Sequence, residues 1–482
     1  MVRRVAFRGR KMRGFLLGLL LLTSPLVAAP PHRELFVDRH LIESLEGGEL
    51  TLAEPRDEGP ALKFDRPWEG LFSGYATVIR DGELLRLYYR GHADTSADGS
   101  PTEAICYAES KDGRNWTKPN LGQFTVHGTR DNNVVLADAA PVTHNFCPFL
   151  DRNPAAKPEE RFKGVGGVAP GGLIAYVSAD GLVWKKLQDK PVFQDKGWVF
   201  DSQNVPFWSE TENCYVLYYR RAAEKKRAIA RTTSTDFVNW SAPVQMRYSD
   251  TGTGVPSHQL YTNQTHPYFR APHIYVSTAA RFMHKRQVIT PEQAAAINVH
   301  PKYFQDTSDA ILMTSRGGDL YDRSLMGALI RPGIGARNWV SRTNYPALNI
   351  VQTGDTEMSL YVNQDYGQPT AHLHRYSFRL DGLASVRAPL SGATLVTKPI
   401  TLTGEPLSLN FRTSAAGGIR VEVQDDTGKP LPGFEMEKCV EVIGNEIARP
   451  VAWKNADWKT LAGRTVRLRM QLSDADLYAM EF

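Results

Sequence analysis

Short runs of alternating apolar and polar residues, rich in tyrosine and β-branched side chains and broken by glycine, proline and aspartate, fill most of the chain. Segments of period two bury one face and expose the other, so they predict β-strands. The clearest are residues 85–90 (LRLYYR) and 215–220 (YVLYYR), near-copies of one another, with 275–277 (YVS) and 360–362 (LYV) in similar places. Helical periodicity is scarce. Residues 291–298 (PEQAAAIN) form the one good candidate, with Thr290 as N-cap and Pro291 at the first helical position.

A recurring phrase organises these strands. It reads Ser110-Lys111-Asp112-Gly113 with Trp116, then Ser178-Ala179-Asp180-Gly181 with Trp184, then Ser234-Thr235-Asp236-Phe237 with Trp240. Degraded copies follow at Ser315-Arg316-Gly317-Gly318 and from Ser377 to Asp381-Gly382. The serines are 56 to 81 residues apart, too long for a helical solenoid unit and suited to a four-stranded propeller blade. Asp-Gly is turn chemistry, and the tryptophan just beyond is placed to cover the turn and pack between blades. The predicted fold is therefore all-β: a five-bladed β-propeller over residues 30–387, followed by a C-terminal β-sandwich over 388–482, where the repeat lapses and alternating strands continue. Inner strands are read near Tyr75, Phe146, Val205, His266 and Met358. The candidate helix becomes an insertion in the fourth blade. Residues 34–54 are expected to pack across the propeller or to close its ring against the last blade.

Charge and composition refine this picture at the N-terminus. Six basic residues between Arg3 and Arg13 precede an apolar run at 15–22 and small residues up to Ala29. This predicts a secretory signal peptide over 1–29, with an uncleaved anchor as the alternative and a secreted or periplasmic mature protein as the consequence. The net charge of +5 belongs to that segment: without it, 51 basic residues face 52 acidic ones. Nothing in this balance calls for a nucleic-acid or membrane-surface partner. Cys106, Cys147, Cys214 and Cys439 are too few for a disulfide scaffold and are not spaced as metal ligands, and Cys106 and Cys214, in apolar Tyr-rich strand sequence, are expected to be buried free thiols.

In a propeller the starts of the inner strands converge on one mouth, and the polar residues there are the candidates for chemistry. They are Trp68 and Glu69 in blade one, His144 and Asn145 in blade two, Asp201 and Gln203 in blade three, Tyr261 and Asn263 in blade four, and Glu357 in blade five. Carboxylates around an aromatic-lined pocket suit glycoside cleavage, in which one acid protonates the leaving oxygen and the other acts as nucleophile or base. The expected catalytic set is Asp201 and Glu357, with Glu69 as a third carboxylate. Trp68, His144, Asn145, Gln203, Tyr261, Asn263 and Arg281 are expected to bind the substrate, with Trp198 as a further stacking face. Arg316, Arg331 and Arg342 join Arg281 as candidates for an acidic sugar or as ion-pair partners. No metal and no cofactor is expected.

Five blades, acids at several inner-strand mouths and an appended sandwich resemble the five-bladed propeller glycoside hydrolases of the β-fructosidase and arabinanase/xylosidase type (families 32, 43 and 68). Those families use an Asp in the first blade, an Asp in an Arg-Asp-Pro phrase in the second and a Glu in the third. Here the corresponding places hold Glu69, His144 with Asn145, and Asp201, and the nearest echo of the second phrase is Asp151-Arg152-Asn153-Pro154. The resemblance implies a five-bladed propeller enzyme that hydrolyses glycosidic bonds in an oligo- or polysaccharide. The Ser-Asp-Gly-Trp turn is also similar to the sialidase Asp-box, although sialidases have six blades and an arginine triad. Readings from other classes are a polysaccharide lyase with His144 and Tyr261 as base and acid, and a carbohydrate-binding propeller without catalysis.

Overall fold

A computed structural model describes residues 1, 32–94 and 98–482, so the expected signal peptide, Met1 apart, lies outside the described residues. Four antiparallel strands form each of the first three blades. Their inner strands are Gly74–Asp81, Cys147–Leu150 and Val205–Ser209. The second strands, Leu84–Gly91, Phe162–Gly166 and Cys214–Ala223, run back towards the mouth. The fourth blade has an inner strand in two pieces, Gln259–Thr262 and Thr265–Tyr268, both paired to Ala271–Met283. In the fifth, Tyr345–Pro346 and Val351–Gly354 lie innermost against Glu357–Gln364, followed by His372–Arg379.

The ring closes through Arg56–Lys63, which supplies the outermost strand of the fifth blade in register Lys63 to His372. A parallel bridge between Thr77 and Leu348 joins the first and last inner strands. Two expectations are corrected here. The segment containing Met358 is the second strand of its blade, because Gly354-Asp355-Thr356-Glu357 is a hairpin turn at the face away from the mouth and not a strand entrance. Residues 34–54 do not close the ring. Arg33–Leu35, Ile42–Glu46 and Glu49–Leu52 instead pair with Thr465–Glu481, Ala393–Thr397 and Ala384–Ala388.

Those pairings belong to a nine-stranded antiparallel sheet drawn from both ends of the chain. Its axis is two 17-residue strands, Ser408–Gln424 and Thr465–Glu481, paired along their length. Leu395, Leu409, Phe411, Val421, Leu468 and Trp453 fill its apolar core.

The repeated turn builds one device three times. Ser110 Oγ accepts from Gly113 N at 2.9 Å and donates to Asp112 Oδ1, which accepts from the N–H groups of Arg114 and Asn115. Ser178 with Asp180, and Ser234 with Asp236, repeat the bonds. Gly113 and Gly181 take φ of +70° and +75°, and Phe237 adopts the same left-handed conformation without being glycine. A tyrosine of the preceding blade caps two of these turns: Tyr361 donates to Gly113 O and Tyr88 to Gly181 O. Trp116 and Trp184 pack edge-on against the same two tyrosines, as the repeat predicted. The insertion in the fourth blade is the expected helix, Pro291–Ala296, with Thr290 and Gln293 forming a reciprocal capping box.

Two buried histidines make the fold acid-sensitive. His266, on the fourth inner strand, places Nδ1 2.9 Å from Gln264 O, while Nε2 accepts from Ile350 N at 3.3 Å, so the ring is held neutral. Burial pushes it down to about 4, and burial with the charge of Arg90 does the same to His92. The unfolded chain takes up these protons near 6.5, so it binds more protons than the folded protein between about pH 6.5 and 4. Stability is complete above that window and falls as the pH drops through it, by on the order of 3 kcal/mol for each histidine. The urea midpoint should therefore decline between pH 7 and 4.5, with a shallower decline in His266→Gln. Equal midpoints in wild type at the two pH values would contradict this.

Candidate active site at the propeller mouth

The mouth is built from two repeated positions: the entrance of each inner strand and the end of each second strand. The second-strand phrases LRLYYR and YVLYYR both end there in a buried arginine, Arg90 and Arg220. A buried guanidinium requires a counter-charge. Arg90 lies 3.8 Å from Glu103 and donates to Phe72 O and His144 O, and Arg220 forms an ion pair with Asp201 through Nη2. That second contact is close but lacks hydrogen-bond geometry. Asp201 Oδ1, and Nε and Nη1 of Arg220, are buried with no hydrogen-bond partner among the described residues.

His144 stands beside them. Its Nδ1 faces Glu103 Oε1 at 2.9 Å and its buried Nε2 has no hydrogen-bond partner among the described residues. Asp98 Oδ2 lies 4.0 Å from Nε2. Burial opposes the charge on Glu103, but the hydrogen bond from His144 and the charge of Arg90 outweigh it and hold the carboxyl below its ordinary value. Asp98, His144 and Asp201 each present one ligand-type atom within 4.8 Å of the other two, a spacing that could also hold a cation. A second such group, His32, Glu34 and His273, lies away from the mouth, where Arg316 also binds Glu34.

Aromatic side chains line the rest. The Tyr75 ring lies 4.7 Å from the guanidinium carbon of Arg90 and 5.8 Å from the His144 ring. Burial first, then Tyr261 and Asp201, push its phenol well above the ordinary value, so it remains a hydroxyl donor. Tyr261 packs on Tyr345, and the insertion of the fourth blade brings Tyr303 to within 5.4 Å of Tyr366. Tyr75, Phe200, Gln264 and Arg342 all have positive φ, so left-handed non-glycine residues mark four of the five entrances. Such strain persists only where the surroundings over-determine it, and it gathers at functional sites.

Of the expected site residues, the mouth contains Asp201, His144, Tyr261 and Arg342, with Trp198 at its rim, 42% exposed. The others are engaged elsewhere. Trp68 is buried in a blade core and donates to Asn133 Oδ1, so it offers no stacking face. Glu69 is held by Tyr89, by Lys118 at 2.7 Å and by Arg66 N. Asn145 gives Nδ2 to Gly167 O, Phe200 O and Ser202 O and takes Gly167 N on Oδ1, which leaves nothing for a hydroxyl. Gln203 ties Tyr75 O and Thr77 to Gln264. Asn263 accepts from Thr265 N, and only its buried Nδ2 is unpaired among the described residues. Arg281 pairs with Asp309, and Arg316 with Glu34 and Asp38. Glu357 lies on the opposite face, bound by Arg56, Arg114 and Arg375. A cleft of about 1090 Å³, lined by Glu54, Asp57 and Glu357, opens beside it towards the nine-stranded sheet, and Glu357 is already bound by three arginines. Asp98, Glu103, Arg90, Arg220 and Arg227 were not anticipated. The paired YYR endings were the signal for two of them.

No protein-family model matches the chain, and no curated protein matches it. Among solved structures, the chain is similar to a protein described as a glycoside hydrolase, at 14% identity and a TM-score of 0.45 over 70% of this chain and 95% of that one. It is also similar to a fructofuranosidase from Schwanniomyces occidentalis, at 11% and 0.39 over 88% and 96% of the two chains. A family 43 arabinoxylan arabinofuranohydrolase from Bacillus subtilis gives 11% and 0.39 over 86% and 96%.

Proposed function

We propose that this protein is an exported glycoside hydrolase that cleaves an oligo- or polysaccharide at the propeller mouth, with Asp201 and Asp98 as its carboxylate pair. The observation that carries the reading is the convergence of Asp98, His144 and Asp201 within 4.8 Å at the axis. Retaining glycosidases hold their two carboxyl groups about 5–5.5 Å apart, so this separation favours retention over inversion. Asp201 suits the nucleophile: Arg220 holds Oδ2 and Oδ1 is free of hydrogen bonds among the described residues. Asp98, more exposed and next to His144 Nε2, suits the group that protonates the leaving oxygen and then deprotonates water. His144, fixed by Glu103, orients that exchange. Export rests on the basic and apolar residues at 1–29.

The test is a glycan-panel digest with wild type, Asp201→Asn, Asp98→Asn and Glu357→Gln. Sugar release is expected from wild type and Glu357→Gln and lost from the two aspartate variants. Release that survives Asp201→Asn would move the site, and loss confined to Glu357→Gln would place it on the opposite face. A β-eliminating lyase is the second reading, favoured by the Glu103-oriented His144, whose Nε2 has no hydrogen-bond partner among the described residues, next to the Tyr75 ring. Its product would carry the ultraviolet absorbance of an unsaturated uronate, which hydrolysis does not generate.

A further inference from the structure

We infer that the mouth selects an anionic sugar, one bearing a carboxylate or a sulfate ester, through Arg220, Arg227 and Arg342. This deepens the carbohydrate reading above and rests on it. The three guanidinium carbons lie 4.8, 4.9 and 5.6 Å from the centre of one ring, that of Tyr261. Every pair is therefore within about 10 Å, close to a Debye length and largely out of bulk water. Only one carboxylate pairs with any of them among the described residues, Asp201 on Arg220. Arg227 donates to the neutral Gln259, and Arg342 has no hydrogen-bond or ion-pair partner there, only the faces of Tyr261 and Tyr303.

Three cations with one counter-charge repel one another unless something negative is added. Burial, with the like charge of Arg220 beside it, already pulls Arg227 below the ordinary arginine value. Arg220 is 1% exposed, yet its Nε and Nη1 lack hydrogen-bond partners among the described residues. A buried guanidinium with idle donors is a costly arrangement that a bound oxyanion corrects. Arg342 also holds a left-handed backbone at φ +60°, fixed on either side by Ser341 N to Tyr303 O and Asn344 N to Asn363 O. A non-glycine residue kept in that conformation, and aimed by two tyrosines, marks a position set by use and not by packing alone. The ligand is a sugar with an acidic group and not a bare ion, because Trp198, 42% exposed, supplies an apolar ring face at the same place.

Calorimetry on the full mature chain tests this with matched ligands: uronate-containing tetrasaccharides and their carboxyl-reduced forms, sulfated tetrasaccharides and their desulfated forms, and acetate and inorganic sulfate alone. At least one acidic oligosaccharide is expected to bind tenfold or more tighter than its neutral counterpart. That gap should shrink with added salt and close by most of its size in Arg342→Gln and in Arg227→Gln. The uronate and sulfate arms identify which group is read. Equal binding of acidic and neutral partners, a gap that survives both substitutions, or no binding by any ligand would overturn the inference. Neutral sugars bound as well as acidic ones would leave the glycosidase reading standing. Acetate or sulfate bound as tightly as the oligosaccharides would keep the anion site and remove the sugar.

Discussion

Asp201→Asn is expected to lower turnover by at least about 10²- to 10⁴-fold, the range that a positioned general acid or base contributes. The substitution keeps the shape and removes the charge. The resulting amide neither attacks an anomeric carbon nor takes up a proton as a carboxylate does. The loss also reaches Arg220, which is 1% exposed and has no other carboxylate among the described residues. Breaking a buried pair by removing one partner costs about 3–5 kcal/mol where both groups are fully desolvated. Asp201 keeps about a third of its side chain exposed, so on the order of 1–3 kcal/mol is expected here. Activity measured well below the unfolding midpoint separates the two effects. Turnover within tenfold of wild type under those conditions would remove Asp201 from the chemistry.

The largest expected effect on stability comes from Asn145→Ala. The Asn145 side chain satisfies four backbone groups at once: Gly167 N and O in the second blade and the carbonyls of Phe200 and Ser202 in the third. Asn204 also reaches the last two, so alanine strands chiefly the Gly167 pair. A buried group left without its bond costs about 1–3 kcal/mol, which places the total on the order of 3–5 kcal/mol. Asn145→Asp should do no better, since a carboxylate cannot donate to three carbonyls. Phe200 and Ser202 flank Asp201, so the same bonds fix the position of the carboxylate. Urea denaturation reads the first effect. An Asn145→Ala midpoint near that of wild type would show that this pin between blades is dispensable.

Asn145 also shows the limit of the linear reading. A polar residue at an inner-strand entrance is indistinguishable in sequence from a sugar contact, and only the neighbouring blade's carbonyls, 55 and 57 residues further on, reveal its employment. Glu69 was subject to the same ambiguity, and Lys118 resolves it. For Glu357 the difficulty was different. Its strand alternates as an inner strand would, but hairpin direction decides which end faces the mouth, and Gly354-Asp355-Thr356-Glu357 turns at the other end.

What the sequence determined by itself was local and periodic: the strands, the Ser-Asp turns, the capped helix and a five-fold repeat long enough for four strands each. Turn chemistry and period-two burial act between near neighbours, so one chain segment contains all their information. It also read His144, Asp201 and Tyr261 as strand-entrance residues, and the structure brings these three to the mouth. The tertiary structure alone decided which charges meet. Arg90 with Glu103, Arg220 with Asp201, and Arg227 and Arg342 around Tyr261 are drawn together from positions far apart in the chain. Whether an acid or an arginine is free for substrate or already paired depends on those distances, because buried charges are settled by their nearest counter-charge and not by their place in a motif.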